Sequence, residues 1–487
     1  MPNSRSSQAF SRYIGYRDGE LVIEGSRCGD LIDRFGTPLY VISKAQIQAN
    51  VEAVHTAFRR YYPGTDILFA TKANNNLAVR RAFSAAGAGA ECNGLGELLI
   101  SLHAGTRPEL MVLNGWPKTE TQLRIAVSHG IKIHLDGVDE FEVVSRLASD
   151  LKMPIQLGIR TRLMLHGLES LSSDWPGAGL PTEGHSVGAN MRERNKDGIS
   201  EAQIPELYRL AERDPWIDFV GLHFHIGRIR GDTSAITAVI GEQVALAGRL
   251  RDQFGWRPRY LDFGGGLPFG RIEGHGPLGQ DRGAPSCAQY AADVTTALIR
   301  ALDEFDLGRP RLLVEPGRGI ASDIGVLLTR VAGRKYVPET GQTWLGVDAS
   351  QTHLMNSLTG GWRYHPVPVK VRDEPVIERV NIVDLQPWYG NLVFDEPFQS
   401  LTTGDAIAFL DTGAYCETKA MNFNLVPRPA TVLVSGSRAG LITRRETIED
   451  LLQRIQIPEW LLAEDNGSTV APDIGDITWP LPSWPQA

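Results

Sequence analysis

The feature that most restricts the fold of this chain is a repeat of eight short apolar runs between residues 66 and 315, separated by amphipathic stretches. The runs are DILFAT (66–71), AGAEC (88–92), LMVLN (110–114), IKIHLD (131–136), PIQLGIR (154–160), IDFVGLHFH (217–225), RYLDF (259–263) and RLLVE (311–315). Each is too short for a buried helix and has the length and apolar content of a buried strand. Most intervals carry helical periodicity, as in EAQIPELYRLAER (201–213) and SAITAVIGEQVALAGRLRDQ (234–253), and a further helix is expected before the first run, near Lys44 to Arg59. Strands that alternate with helices make parallel sheets, because a parallel pair needs a long crossover. Eight such units describe an α/β chain closed into a (β/α)8 barrel; the alternative is a Rossmann-like open sheet with extra elements.

After about residue 322 the helical periodicity fades. Segments such as GVLLTRV, QTWLGVD, VIERVNIVDL, DAIAFLD and ATVLVS take over, which predicts a second, all-β domain. LVIEG (21–25) and TPLYVIS (37–43) are also β-rich and are expected to join it. The expected division is therefore residues 1–43 with the β domain, a barrel over 44–321, the β domain over 322–462, and a poorly ordered tail over 463–487. Two Gly- and Pro-rich stretches, 166–190 and 269–285, read as long loops of the kind that cover active sites or stay disordered.

A chain of 487 residues buries a core without staples, and its four cysteines, Cys28, Cys92, Cys287 and Cys416, form no C-x-x-C pair. Neither a zinc site nor a disulfide framework is suggested, and no metal is expected. A net charge of −8 argues against a nucleic-acid surface, which needs a basic stripe, and points to a small-molecule substrate. The N-terminal MPNSRSSQAF lacks the apolar stretch of a signal peptide, and no apolar run is long enough to span a bilayer, so no membrane partner and a cytoplasmic location are expected.

Barrel chemistry sits where the strands end. The residues closing the eight runs are Lys72, Glu91 with Asn93, Asn114, Asp136, Arg160, His225, Gly264-Gly265-Gly266, and Glu315 with Arg318. Each alone reads as a hydrogen-bonded strand terminus. Together they offer an amine that reacts with carbonyls, an aromatic face, an acid and a glycine cradle whose N–H groups suit a phosphate. That set fits pyridoxal 5′-phosphate, which needs a Schiff-base lysine and a charged partner for its ring nitrogen.

The order of FATKAN (69–74), HFHIG (223–227), GGG (264–266), EPGR (315–318) and GAY (413–415) resembles the fold-type III pyridoxal-phosphate decarboxylases, the family of ornithine, arginine and diaminopimelate decarboxylases, over about residues 20–435. The resemblance implies that Lys72 binds the cofactor covalently, His225 stacks on its ring and Glu315 keeps the ring nitrogen protonated, since an adjacent anion raises that nitrogen's pKa. It assigns Gly264, Gly265, Gly266, Gly317, Arg318 and Tyr415 to the phosphate, and places Glu91, with Arg160 as its charge partner, where the family usually has an aspartate. It also implies a homodimer with shared active sites.

Three departures qualify the match. Arg228 stands where the family has a phosphate-binding serine, to bind the phosphate by charge or to receive a substrate carboxylate, and the inserted 166–190 stretch suggests an altered lid and a larger or unusual substrate. The family's C-terminal G-P-x-C-x-S-x-D stretch aligns with GNLVFDEP (390–397), with Val393 in the cysteine slot and Phe394 beside it. Valine donates no proton, which leaves Lys72, or less readily Cys416, to return one. Phe394 removes a distal-group partner and argues against diaminopimelate, while Asp395 and Glu396 are expected to receive a distal cation. The expectation is thus a decarboxylase of a non-diaminopimelate substrate in specialised metabolism, with an epimerase or oxidative deaminating enzyme as alternative.

Overall fold

The computed structural model describes residues 8–162, 196–227, 232–268, 285–355, 364–373, 375–387, 391–456, 458 and 460. Eight parallel strands form a ring: β1 (Thr65–Ala70), β2 (Gly89–Cys92), β3 (Met111–Leu113), β4 (Lys132–Leu135), β5 (Ile155–Arg162), β6 (Ile217–His223), β7 (Tyr260–Asp262) and β8 (Arg311–Val314). β8 pairs with β1 through Leu312 opposite Thr65, and β4 pairs with β5 through Ile133 opposite Leu157. The ring is closed, and each of the eight apolar runs contributes one strand. The helix expected before the first strand is Lys44–Arg59.

Short polar residues start the helices. Ser43 Oγ accepts the Gln46 N–H at 3.0 Å, Asn76 Oδ1 accepts the Ala78 N–H at 3.0 Å, and Thr119 and Gln122 cap each other reciprocally. Each satisfies a donor that the first helical turn leaves open.

Period-two alternation then sorts the barrel side chains. Ile67, Phe69, Ile133, Leu135 and Leu261 share one apolar cluster with helix residues such as Val51, Phe83 and Val127, while Leu68, Val112, Val220, Tyr260 and Leu313 form a separate plug inside the ring. Two glycines make room for that plug. A Cβ on Gly158 would lie 2.3 Å from the Tyr260 hydroxyl and 2.6 Å from His134 Cδ2, and one on Gly221 would meet the Tyr260 ring at 2.4 Å.

The β-rich half is one sheet, in the order 391–399, 377–383, 342–347, 325–337, 39–43, 430–435 and 438–443, with 365–368 paired to 406–410 and the latter to 325–337. The N-terminal strand Leu39–Ser43 runs antiparallel to Gly325–Val337 and parallel to Ala430–Ser435. Its Leu39 and Val41 enter one apolar cluster and Tyr40 the other, so the strand binds both faces of the sheet, each fully buried side chain contributing about 1.5–3 kcal/mol. Residues 21–23 lie in a separate three-stranded sheet, tied to the β-rich half by the Leu21 N–H donating to Val369 O at 2.8 Å. Among the described residues no helix is long and apolar enough to cross a membrane.

Candidate active site

The inward parity that places the apolar plug low in the barrel places polar residues above it. Glu91 is in β2, Asn114 follows β3, His134 is in β4, Arg160 is in β5, His223 ends β6, Asp262 ends β7 and Glu315 follows β8; all are buried. Lys72, in a short 3₁₀ turn after β1, carries a half-exposed side chain among them. Its Nζ donates to Glu91 Oε2 at 2.7 Å. Burial opposes the charge on Lys72, but the surrounding Glu91, Tyr415 and Glu315 outweigh it, and its pKa is raised. Burial, with Glu315 nearby, also pushes the Glu91 carboxyl up in spite of Lys72. The lysine therefore holds a proton firmly while its acidic partner holds its charge less firmly.

Glu91 Oε1 receives N–H groups from Asn93 and, at 3.4 Å, from Asn114 Nδ2. Asn114 Nδ2 also donates to Glu315 Oε1 at 2.7 Å. His225 is neutral: burial and then Arg160 hold its pKa well below the usual value, and its Nδ1 accepts the Gly265 N–H at 3.1 Å. Beside Glu315, Asp262 is pushed well up by burial and by the Glu315 charge, and its Oδ1 accepts the Gly264 N–H at 2.9 Å.

The glycine turn leaves space that side chains would take. Gly264 has φ +63°, and a Cβ there would lie 2.6 Å from Phe224 O and 2.8 Å from His225 Nδ1; one on Gly265 would lie 2.6 Å from Glu315 O. The GAY segment docks from the β-rich half, with the Tyr415 N–H donating to Ala73 O at 2.8 Å and Asn74 Nδ2 donating to Gly413 O at 2.9 Å. This brings the Tyr415 ring to 4.8 Å from the Arg318 guanidinium and its hydroxyl to 3.0 Å from where a Cβ on Gly317 would stand.

Lys72, Glu91, His225, Gly264, Gly265, Glu315, Gly317, Arg318 and Tyr415 thus gather at one end of the barrel. Arg160 shares this rim but has other partners, and Val393, Phe394, Asp395, Glu396 and Cys416 lie in the β-rich half. Arg160 does not pair with Glu91; it pairs with Asp197 at 3.0 Å and approaches Asp136 at 3.7 Å, because Glu91 is already taken by Lys72 and two asparagines. Val393 sits opposite Ile382 inside the strand 391–399 and packs on an apolar cluster of the sheet. Phe394 is 58% exposed on the same strand, and Asp395 is engaged by Arg379 at 2.6 Å next to Glu396. Cys416 donates to the Tyr364 hydroxyl at 3.0 Å, and burial pushes its thiol up to about 12, so it is a poor acid for the site. Arg228 and the 166–190 stretch lie outside the described residues, as do 269–284 and the tail from 463.

His134, His223 and Asp262 also face this site, although the sequence motifs assign them no role. All three interrupt apolar runs at inward parity, in IKIHLD, GLHFH and RYLDF, and that interruption is the signal that marks them. His134, His223 and Glu315 bring ligand-type atoms within 4.8 Å of one another, but both His134 nitrogens are hydrogen-bonded already, to Asn114 Oδ1 and to the Tyr260 hydroxyl. A lysine beside carboxylates, a neutral imidazole, a glycine cradle and an arginine instead suit an aldehyde-bearing aromatic phosphate.

The barrel and these strand ends define a pyridoxal-phosphate enzyme of the carboxy-lyase class. Residues 45–322 match the pyridoxal binding domain of the pyridoxal-dependent decarboxylases, and the chain belongs to that family. It is 31% identical over 91% of its length to a diaminopimelate decarboxylase of Methanothermobacter thermautotrophicus, of which it covers 97%, and 30% identical over 91% to one of Archaeoglobus fulgidus, of which it covers 99%. The solved diaminopimelate decarboxylase of M. jannaschii in co-complex with L-lysine superposes with a TM-score of 0.80 at 26% identity, covering 93% of this chain and 99% of that one. The cofactor is pyridoxal 5′-phosphate, and the chain is a pyridoxal-phosphate-dependent decarboxylase. These relatives overturn the expectation that diaminopimelate is excluded. That expectation rested on Phe394 standing in the motif where a distal-group partner was expected, and Phe394 is 58% exposed on the β sheet.

Proposed function

We propose that the chain removes one carboxyl group of diaminopimelate as carbon dioxide and forms lysine. The observation that carries this reading is similarity along about nine-tenths of the chain to proteins named diaminopimelate decarboxylase. One such protein was solved with L-lysine, which is what diaminopimelate becomes when a proton replaces one α-carboxyl group.

When bound, pyridoxal phosphate supplies an electron sink for the carbanion that departing carbon dioxide leaves. Lys72 would hold the cofactor covalently, Glu315 its ring nitrogen and His225 its ring face. Gly264, Gly265, Gly266, Gly317, Arg318 and Tyr415 would hold the phosphate. To react, Lys72 Nζ must shed its proton, and Glu91 Oε2 at 2.7 Å is the acceptor within reach. The same pair can return a proton to the substrate carbon, with Glu91 recharging Nζ. A carboxylate at 315 favours a cationic nitrogen beside it, and a neutral His225 adds no opposing charge.

We also propose a homodimer. Leu385, Met421, Phe423 and Leu425 are exposed, and Phe423 and Asn424 are tied to Gln386 beside Leu385 by hydrogen bonds, which makes an apolar surface suited to a second copy. The specialised-metabolism placement loses its support, since it rested on Val393 and Phe394. So does the epimerase or deaminase alternative.

The test is a panel of diaminopimelate, ornithine, arginine and lysine, each incubated with the loaded enzyme and followed by carbon dioxide release. Release from diaminopimelate well above the other three is the expected result. Turnover of ornithine or arginine without diaminopimelate would overturn the substrate assignment.

A further inference from the structure

The two carboxylates proposed for opposite ends of the cofactor, Glu91 and Glu315, share one hydrogen-bond donor, and that donor is itself held from below. Asn114 Nδ2 reaches Glu315 Oε1 at 2.7 Å and Glu91 Oε1 at 3.4 Å, while Asn114 Oδ1 lies 2.7 Å from His134 Nδ1 and His134 Nε2 lies 2.9 Å from the Tyr260 hydroxyl. All five residues are buried.

The donors and acceptors can be assigned by elimination. An ionised carboxylate only accepts, so the Asn114 atom facing Glu91 and Glu315 is its NH₂ and the atom facing His134 is its carbonyl. His134 Nδ1 must then carry a hydrogen. Its Nε2 is bare and accepts from Tyr260. Burial and then the stacked His223, with ring centroids 4.7 Å apart, keep His134 neutral, which this tautomer requires. Gly158 and Gly221 leave the space that Tyr260 and His134 occupy, so the chain is built into the barrel wall.

We infer that His134 is a positioning residue that locks the Asn114 amide so that its NH₂ faces both Glu91 and Glu315, and that this shared donor lets both carboxylates carry charge so close together. Like charges within one buried site otherwise force a proton onto one of them. A rotated amide would turn its carbonyl toward two anions and add repulsion where there is now attraction. The charged and titratable groups that act on this network are Lys72 and Glu97 beside Glu91; Lys72, Asp262 and His223 beside Glu315, with His223 Nε2 3.6 Å from Glu315 Oε2; and His223, Lys118 and Lys132 around His134. The inference rests on the roles proposed for Glu91 and Glu315 and is independent of the substrate.

Three variants test it: Asn114→Leu, which deletes the donor; His134→Leu, which frees the amide without touching either carboxylate; and His134→Asn, whose side-chain NH₂ can replace Nδ1–H. The pH titration of the bound cofactor's absorbance is read for each, with kcat and KM. Both leucine variants should move the spectral midpoint by at least one pH unit and lower kcat about tenfold with KM within about twofold, and His134→Asn should restore the wild-type midpoint. A folded His134→Leu that titrates as wild type, or a His134→Asn no better than His134→Leu, overturns the inference while leaving the decarboxylase reading intact. If the leucine variants do not fold, nitrogen-15 NMR of the cofactor-free wild type decides. A hydrogen on Nδ1 of His134 supports the lock; a hydrogen on Nε2 alone refutes it.

Discussion

Lys72 and Glu91 form an ion pair at 2.7 Å in which the lysine side chain is 43% exposed and the glutamate 1%. The pair is asymmetric in the way a reactive amine requires: the lysine reaches the open end of the barrel, and the group that can relieve it of its proton lies beneath.

Replacing Glu91 by Gln removes the charge that, with Tyr415 and Glu315, raises the Lys72 pKa against burial. Covalent loading of pyridoxal phosphate, trapped by borohydride and measured by mass, should then reach half-maximum at a pH at least one unit lower than in wild type. A group whose folded pKa is raised gives stability that is complete below its unfolded pKa of about 10.5 and fades as pH rises through the folded value. The thermal-stability gap between wild type and Glu91→Gln should accordingly stay level from pH 7 to about 10 and close above that. A gap that widens at high pH would count against the pair.

Glu315→Gln keeps the side chain's size and a hydrogen-bonding oxygen and removes its charge. If the carboxylate acts on the ring nitrogen, kcat should fall by about 10²–10³-fold, with a much smaller change in KM. An equal rise in KM with kcat unchanged would assign Glu315 to substrate binding instead.

Gly265→Ala places a methyl 2.6 Å from the Glu315 carbonyl oxygen and 3.4 Å from His225 Cε1. The backbone oxygen cannot retreat without moving Glu315, so the affinity for pyridoxal phosphate, measured by equilibrium dialysis, should weaken at least tenfold. Unchanged affinity would show that the glycine turn is not the cradle.

His134, His223 and His225 are all held neutral by burial, and His353 has its pKa lowered to about 3 for the same leading reason. A histidine depressed in the folded state binds its proton more readily when unfolded. Stability is therefore complete above the unfolded pKa near 6.5 and is lost as pH falls below it, each such histidine contributing up to about 1.4 kcal/mol per pH unit. His353→Gln, with an amide oxygen that can take the Ser350 N–H now accepted by Nδ1, should flatten the fall in urea-unfolding free energy between pH 6.5 and 4. An unchanged slope would mean that His353 is not neutral in the folded protein.

The barrel was legible because eight apolar runs with helical spacers leave few other ways to bury a parallel sheet. Lys72, Glu91, His225 and Glu315 were legible because barrel strands end at one rim. His134 and Asp262 were not, because a single polar residue inside IKIHLD or RYLDF is outweighed by its apolar neighbours until strand parity shows that it faces inward with Tyr260. The exclusion of diaminopimelate misled because it rested on Phe394 in a motif alignment alone. A motif aligned without strand pairing carries no register; the pairing sets Val393 opposite Ile382, third in the strand 391–399. Arg160 was expected beside Glu91 from the family resemblance, and a resemblance cannot say which strand-end neighbours meet across the ring.

Whether the chain decarboxylates diaminopimelate through Lys72 is decided by incubating the loaded enzyme with diaminopimelate and measuring carbon dioxide and lysine together, with Lys72→Ala in parallel. Wild type should give equal molar amounts of the two and the variant neither. Carbon dioxide without lysine, or undiminished turnover by Lys72→Ala, would contradict that route.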